Sequence, residues 1–481
     1  MKRHFTLRAV CTFAFATAVF TTATFAADAP SSEAIATTLR DKALHGDTVA
    51  WEFVSELTTR IGPRPAGSAS EQAAAEWAAR RLKALGFENV HIETFPITAW
   101  VRGAERAEIL APSPQPMTAA SLGGAPPTAA GGVEGEVVLF ATLDALKAAA
   151  PGSLNGKIAM ITFHLPRTQD GSGYGFGSSG RTAGTVEAAK RGAIGFLVRS
   201  LATGGHRLAH AGSTRYADGR VPIPAFSISE PDGDQIERLT RLGEKVRVRL
   251  TSSATYVPNA HSQNVVGDIR GATRPNEVIV LGAHLDSWDL GTGAIDDAAG
   301  DAIITSAARL LRDAPRKPQR TVRVVLYGSE EISQPTDVPL GNRTYAETRK
   351  AEIPSHVIAG ESDFGADRVY AVALPKGALD GEFGQSLMRV LLPIGVIASS
   401  QPSGRGGSDV GPLGDAGVPI FALNQDGTKY FDYHHTADDT LDKIDPAALS
   451  QNVAAWTALA WLVADSNVDF RALTAAAPAA H

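Results

Sequence analysis

From Ser262 onward, short apolar runs rich in β-branched residues alternate with helical stretches. The pattern predicts strands over Glu277–Ala283, Thr321–Tyr327, His356–Gly360 and Pro419–Leu423, and helices over Ala298–Arg312, Gly381–Leu392 and Pro446–Ala464. Alternation of this kind predicts an α/β fold with a mainly parallel central sheet flanked by helices. In such sheets ligands bind beyond the carboxyl ends of the strands. Acidic and histidine residues gather at those ends: His284-Leu285-Asp286-Ser287-Trp288-Asp289 after the first strand, Glu330-Glu331 after the second and Glu361-Ser362-Asp363 after the third. Tyr433-His434-His435-Thr436-Ala437-Asp438-Asp439-Thr440 follows the fourth, and Asp296-Asp297 precedes the first helix.

Taken singly these clusters are ordinary. Asp297 alone would be a helix N-cap, and Glu330-Glu331 alone a solvated turn. Opening toward one rim, they would repel one another unless cations lay between them, and imidazole with carboxylate is the ligand set that suits zinc. Two histidines and three or more carboxylates suit two metals about 3.5–4 Å apart sharing a bridging carboxylate. Cobalt or manganese would fit the same donors.

With 481 residues the chain exceeds one ordinary core, and two folded units are expected. The sequence divides into residues 1–27, a catalytic unit split over 28–103 and 257–468, an inserted segment over 104–256, and a frayed tail over 469–481. In the first part Lys2, Arg3 and Arg8 precede an apolar run from Ala9 to Phe25 and the small residues Ala26 and Ala27, the pattern of a secretory signal peptide rather than a stable membrane anchor. Periplasmic or extracellular export is the corresponding expectation. Cys11, the sole cysteine, falls inside this segment, so the mature chain relies on no disulfide and offers no thiol nucleophile. Removing three positive charges takes the net charge from −6 to −9 (−6 − 3), which leaves no basic face for nucleic acid.

The 104–256 segment reads as β-rich, with one clear helix over Thr182–Arg191. Gly175-Phe176-Gly177-Ser178-Ser179-Gly180 matches a dinucleotide fingerprint, but the acidic residue required about 20 positions on is absent and no complete βαβ unit is evident around it. A G-x-S-x-G nucleophile elbow is also absent.

Taken together, the five clusters, in this order and spacing, resemble the carboxypeptidase Q-like branch of the zinc aminopeptidase (di-zinc exopeptidase) family. The likeness extends to Ile61-Gly62-Pro63-Arg64, to Trp100-Val101-Arg102-Gly103 and to the 104–256 segment, which resembles that family's protease-associated domain. The resemblance implies two Zn²⁺ per chain. Asp296 would bridge them, His284 and Asp363 would complete one site, and Glu331 and His435 the other. His435 is preferred to His434 because the family histidine stands four residues before the Asp of the Asp-Thr pair. Asp286 would orient the imidazole of His284, and Glu330 would take a proton from the attacking water and pass it to the leaving amine. Ser403-Gly404-Arg405-Gly406-Gly407-Ser408-Asp409 resembles the family's substrate-facing loop, with Arg405, Ser408 and Asp409 as candidate contacts.

The implied activity is hydrolysis of dipeptides or short unblocked peptides. A broad aminopeptidase and a non-catalytic peptide-binding homologue are the alternatives. A homodimer is allowed by the resemblance alone. Ile332-Ser333-Gln334-Pro335-Thr336-Asp337-Val338-Pro339 departs from the Gly-rich turn usual after Glu331 and bears on the pocket wall.

Overall fold

Strand formation in the centre of the molecule follows from two apolar faces on the same strands. Ile279, Leu281 and Ala283, with Val322, Val324 and Leu326, enter one core beside the helices Ala299–Leu310 and Pro446–Asp465. The alternate residues Val278 and Val280, with Val325 and Tyr327, enter a second core beside Tyr345 and Leu413. A period of two with both faces buried is what a sheet covered on both sides requires.

These features belong to a computed structural model that describes residues 1, 4, 30–215, 223–332, 340–404 and 406–476. Of the expected signal peptide only Met1 and His4 fall within that set. Met1–Ser31 and Ser32–His481 are separate compact units, and the sheets, their covering helices and the candidate site all belong to the second.

The central sheet has five strands in the order Glu88–Val101, Thr255–Ile269, Arg320–Tyr327, Arg274–His284, His356–Glu361. Two of its pairings are antiparallel and two parallel, so it is mixed where the sequence reading expects a mainly parallel sheet. Periodicity identifies a strand but not its direction. Here the strands that precede and follow the 104–254 stretch run out and back as a long antiparallel ribbon. Pro419–Leu423 also differs from expectation. It contributes one parallel bridge, Ala359 to Ile420, and the strand proper, Ala422–Gln425, pairs with Val369–Ala373 in a separate three-stranded sheet.

Helix Pro446–Asp465 is long and apolar enough to cross a membrane, but 89% of that apolar window is buried inside the protein. Its Gln451 hydrogen-bonds both the N–H and the carbonyl of Val369 (2.8 Å each), doing for that backbone what a neighbouring strand would do. The described part of the expected tail is ordered. Phe470–Ala476 is helical, Phe470 is buried against Phe383, and Arg471 donates to the carbonyls of His356, Ile353 and Gly417. The Ala-rich composition that suggests fraying is also a helix-forming one.

Residues 105–252 form an eight-stranded sheet of their own with two small cores. This segment carries more helix than the sequence reading assigns: Leu143–Ala148, Tyr174–Ala189 and Glu230–Arg241. Ile158–Ile161 and Gly195–Arg199 are parallel neighbours joined through Tyr174–Ala189, so a βαβ unit does surround the glycine motif. The glycines lie within the helix rather than at a phosphate-binding turn. A Cβ at Gly177 would come within 2.8 Å of Phe163 and Leu201, and one at Gly184, a turn beyond the motif, within 2.3 Å of Phe196, so these two serve close packing, whereas one at Gly175 would meet nothing.

Candidate metal centre

Parallel pairing brings the strand ends to one edge. His284 lies opposite Tyr327, and Gly282 opposite Glu361, so the segments that carry Asp286, Glu330, Glu331 and Asp363 all leave the sheet at the same rim. Asp296 sits in a tight turn, Ala294–Ala298, ahead of the Ala299–Leu310 helix. His434 and His435 come directly after the short helix Tyr430–Tyr433. Ser329 (φ 61°) and His435 (φ 62°) are two of the four described non-glycine residues with a left-handed backbone. Such a conformation costs of order 1 kcal/mol or more in a residue with a Cβ, and it persists where the surroundings hold it.

Asp296 stands between two imidazoles. Its Oδ1 is 3.1 Å from His284 Nε2, and its Oδ2 is 3.1 Å from His435 Nε2. His284 Nε2 is also 3.4 Å from Asp363 Oδ1, and His435 Nε2 is 2.9 Å from Glu331 Oε2. His434 stacks on His435 with ring centroids 3.6 Å apart and reaches Asp296 Oδ2 at 3.5 Å, but no contact joins it to Glu331. All five expected ligands are therefore brought together. Ligand atoms of His284, Asp296 and Glu331 lie within 4.8 Å of one another, as do those of His284, Asp297 and Asp363 and those of Asp296, His434 and His435. Asp296 Oδ2, though close to the His435 ring, accepts no hydrogen bond, and Glu331 Oε1 is likewise buried without one. Orphaned carboxylate oxygens among converging imidazoles fit a bound cation.

The electrostatics agree. Burial pushes the Glu331 carboxyl up to about 8, reinforced by Asp296, and pushes Asp363 up to about 6. Burial opposes charge on His284 and His435, but Asp363 and Asp296 around the first, and Glu331 and Asp296 around the second, outweigh it and hold both imidazoles well above their ordinary value. Burial also opposes charge on Asp296, yet the neighbouring histidines keep its carboxyl well below the carboxylate range. The site concentrates negative charge away from water, where either protons or metal ions must balance it.

The surroundings hold these groups in place. His284 Nδ1 hydrogen-bonds the main-chain carbonyl of Asp286 at 2.9 Å, whereas the Asp286 carboxylate is 3.9 Å away. Asp286, expected to orient the His284 imidazole, meets it through its main-chain carbonyl rather than its carboxylate. That carboxylate accepts from the N–H groups of Glu330 (3.0 Å) and Glu331 (3.3 Å), because the 328–331 turn presents two donors that would otherwise lack partners. Asp297 links strand to helix, accepting from His284 N (3.2 Å) and from Gly300 N (3.1 Å).

Two supports escape sequence reasoning. Asp439 accepts from the N–H groups of Ala294 and Ile295 (2.7 Å each) and fixes the turn that carries Asp296. The buried Arg64 guanidinium donates to the carbonyls of Leu285 (2.7 Å), Thr292 (2.8 Å) and Gly293 (2.9 Å), and so ties together the loops that carry His284 and Asp296.

A cavity of about 330 Å³ opens on the site, lined by Asp296, Glu330, Glu331, Asp363, Ser408 and His435 among others. A second wall comes from the 105–252 segment, through Tyr174, Ser178, Arg181, Thr182, Ser213 and Arg215. Ser213 Oγ donates to the Glu331 carbonyl (2.9 Å), and His435 Nδ1 lies 3.2 Å from the Ala211 carbonyl. Sequence reasoning misses this wall because the residues that form it are hydroxyl, aromatic and basic ones with no metal-ligand pattern. Of the expected substrate-facing loop, Ser408 is exposed and lines the cavity. Asp409 is corrected: it is buried (1% exposed) beside Glu361, whose carboxylate accepts from the Val410 N–H, and it does not line the cavity. Arg405 and residues 333–339 lie outside the described residues.

Residues 264–460 match the family model for peptidase family M28. Carboxypeptidase Q of Mus musculus is 33% identical over 418 residues, covering 87% of this chain and 86% of the mouse protein. The crystal structure of a peptidase M28 precursor from Shewanella amazonensis SB2B superposes with a TM-score of 0.87 at 43% identity, covering 91% of this chain and 98% of that one. A zinc aminopeptidase from Bacillus subtilis shares the fold, with a TM-score of 0.60 at 20% identity over 88% of this chain and 96% of its own.

Proposed function

The chain belongs to peptidase family M28, and we propose that within it the protein is a di-zinc exopeptidase that cleaves dipeptides or short unblocked peptides. The observation that carries this reading is Asp296 between His284 and His435, one carboxylate oxygen to each, with Asp363 and Glu331 beside them. His284, Asp296 and Asp363 would hold one ion, and His435, Asp296 and Glu331 the other. When bound, zinc lowers the pKa of a water toward ~7 and polarises the scissile carbonyl as a Lewis acid. The chain supplies the rest. Glu330, fixed through its N–H by Asp286, takes the proton of the attacking water and delivers it to the leaving amine. Glu331, its neighbour, is engaged with His435, which leaves only the first of the pair for proton transfer.

We further read residues 104–256 as a protease-associated domain that walls the cavity, and the N-terminal segment as an export signal. The mouse relative's name supports a carboxypeptidase-type substrate. A panel of free, N-blocked and C-blocked dipeptides, assayed with zinc, tests this. Cleavage of the free peptides and loss of cleavage on C-blocking supports the reading. Equal cleavage of C-blocked peptides favours a broad aminopeptidase, and no cleavage of any peptide rejects it.

A further inference from the structure

Charge in the cavity beside the metal centre is unevenly matched. Asp296, Asp363 and Glu331 are engaged with the imidazoles of His284 and His435. In the wall supplied by helix Tyr174–Ala189, Arg181 has no such counterpart. Arg181 is 7% exposed. Its Nη1 donates to the Ala211 carbonyl (3.3 Å) and its Nη2 to the Tyr174 hydroxyl (3.0 Å), both neutral acceptors. Its Nε has no partner, and among the described residues no ion pair includes it. Arginine stays charged in proteins, and a buried charge is ordinarily paired. A buried guanidinium with unused donors that lines a cavity is a site waiting for an anion brought by the ligand.

Placement and rigidity suit that role. A Cβ at Gly212 would come within 2.2 Å of Arg181 Cζ, so the glycine lets the guanidinium lie flat against the loop whose Ala211 carbonyl meets His435. The Tyr174 ring links Arg181 to the centre. Its centroid is 5.6 Å from Arg181 Cζ and 5.3 Å from the His434 ring. Each step is about one and a half residues of extended chain, at about 3.3–3.6 Å per residue.

We propose that Arg181 is the specificity-determining residue that binds the free C-terminal carboxylate of a short peptide whose scissile bond lies at the metal centre. The proposal rests on the peptidase reading above and deepens it, because it makes the inserted segment the part that separates short free peptides from long or amidated ones. The fork of the guanidinium would take the carboxylate, and a peptide too long for its terminus to sit there would leave the buried charge uncompensated.

The test compares a free dipeptide with its C-terminal amide on the zinc-loaded wild type, on R181A and on R181K. Both kcat/KM and equilibrium binding by calorimetry are measured. The wild type is expected to favour the acid by roughly 10- to 100-fold, the range of a charge-assisted hydrogen bond to a carboxylate. R181A should bring the ratio close to one, mainly through the KM of the acid and with the amide little changed. R181K, which keeps the charge but not the fork, should fall between. The acid-to-amide ratio is internal to each protein, so partial misfolding of a variant does not move it. An undiminished ratio in R181A, or a wild type that does not distinguish acid from amide, overturns the proposal. If no peptide is turned over, the peptidase reading fails by itself, and the binding ratio still decides the role of Arg181.

Discussion

Glu330 and Glu331 are adjacent, yet their surroundings differ. Both line the cavity and both N–H groups are held by Asp286, but the Glu331 carboxylate is engaged with the His435 imidazole and, among the described residues, that of Glu330 joins no ion pair of the centre. Glu330→Gln is therefore expected to lower kcat by about 10²- to 10⁴-fold, the usual worth of a positioned proton-transfer group, with metal content unchanged. His435→Ala should lose metal as well as activity. Elemental analysis beside the rate measurement separates the two, and loss of metal in the Glu330 variant would contradict the assignment. At this scale the sequence was informative wherever a residue's chemistry is itself rare. Five metal-binding candidates are legible as acidic or histidine residues, three of them at or just beyond strand ends and Asp296 and His435 beside helices. Arg64, Asp439 and Arg181 are not, because their roles depend on which carbonyls and loops the fold brings to them.

Among the elements, strand His356–Glu361 begins with a titratable residue sealed in the core. His356 Nδ1 lies 3.0 Å from the Glu352 carbonyl, and Nε2 lies 3.0 Å from the Tyr345 hydroxyl. A carbonyl only accepts, so Nδ1 carries the proton and Nε2 accepts from the hydroxyl, which satisfies the neutral ring on both sides. Burial pushes its pKa down to about 4. An unfolded histidine titrates near 6.5. As pH falls from about 6.5 to about 4 the unfolded chain gains a proton that the folded chain does not, so stability declines through that window by roughly 3 kcal/mol and is level above it. Denaturant unfolding at pH 7 and pH 4.5 measures this, and His356→Gln should flatten the difference. Element identity was legible for the buried strands, whose β-branched apolar runs are broken only by residues such as Arg323. Direction and partner were not, as the ribbon Glu88–Val101 with Thr255–Ile269 and the displaced strand Ala422–Gln425 show. Both depend on contacts across more than a hundred residues of chain or on a neighbouring sheet.

For the whole molecule, burial of so many carboxylates at one rim couples folding to metal. Without metal ions only protons on His284, His435, Glu331 and Asp363 can balance the buried charge, so a cation that binds only the folded form stabilises it with the logarithm of its concentration over Kd. Chelation is expected to lower the thermal midpoint by several degrees and readdition of zinc to restore it, as scanning calorimetry would show. An unchanged midpoint would mean that the carboxylates are not metal ligands. The two-metal centre itself is tested most directly by titrating metal-stripped protein with zinc while following hydrolysis of a free dipeptide. The arrangement of Asp296 between His284 and His435 predicts activity that rises to a plateau at two equivalents per chain. A plateau at one equivalent, or no hydrolysis at any zinc level, would contradict it.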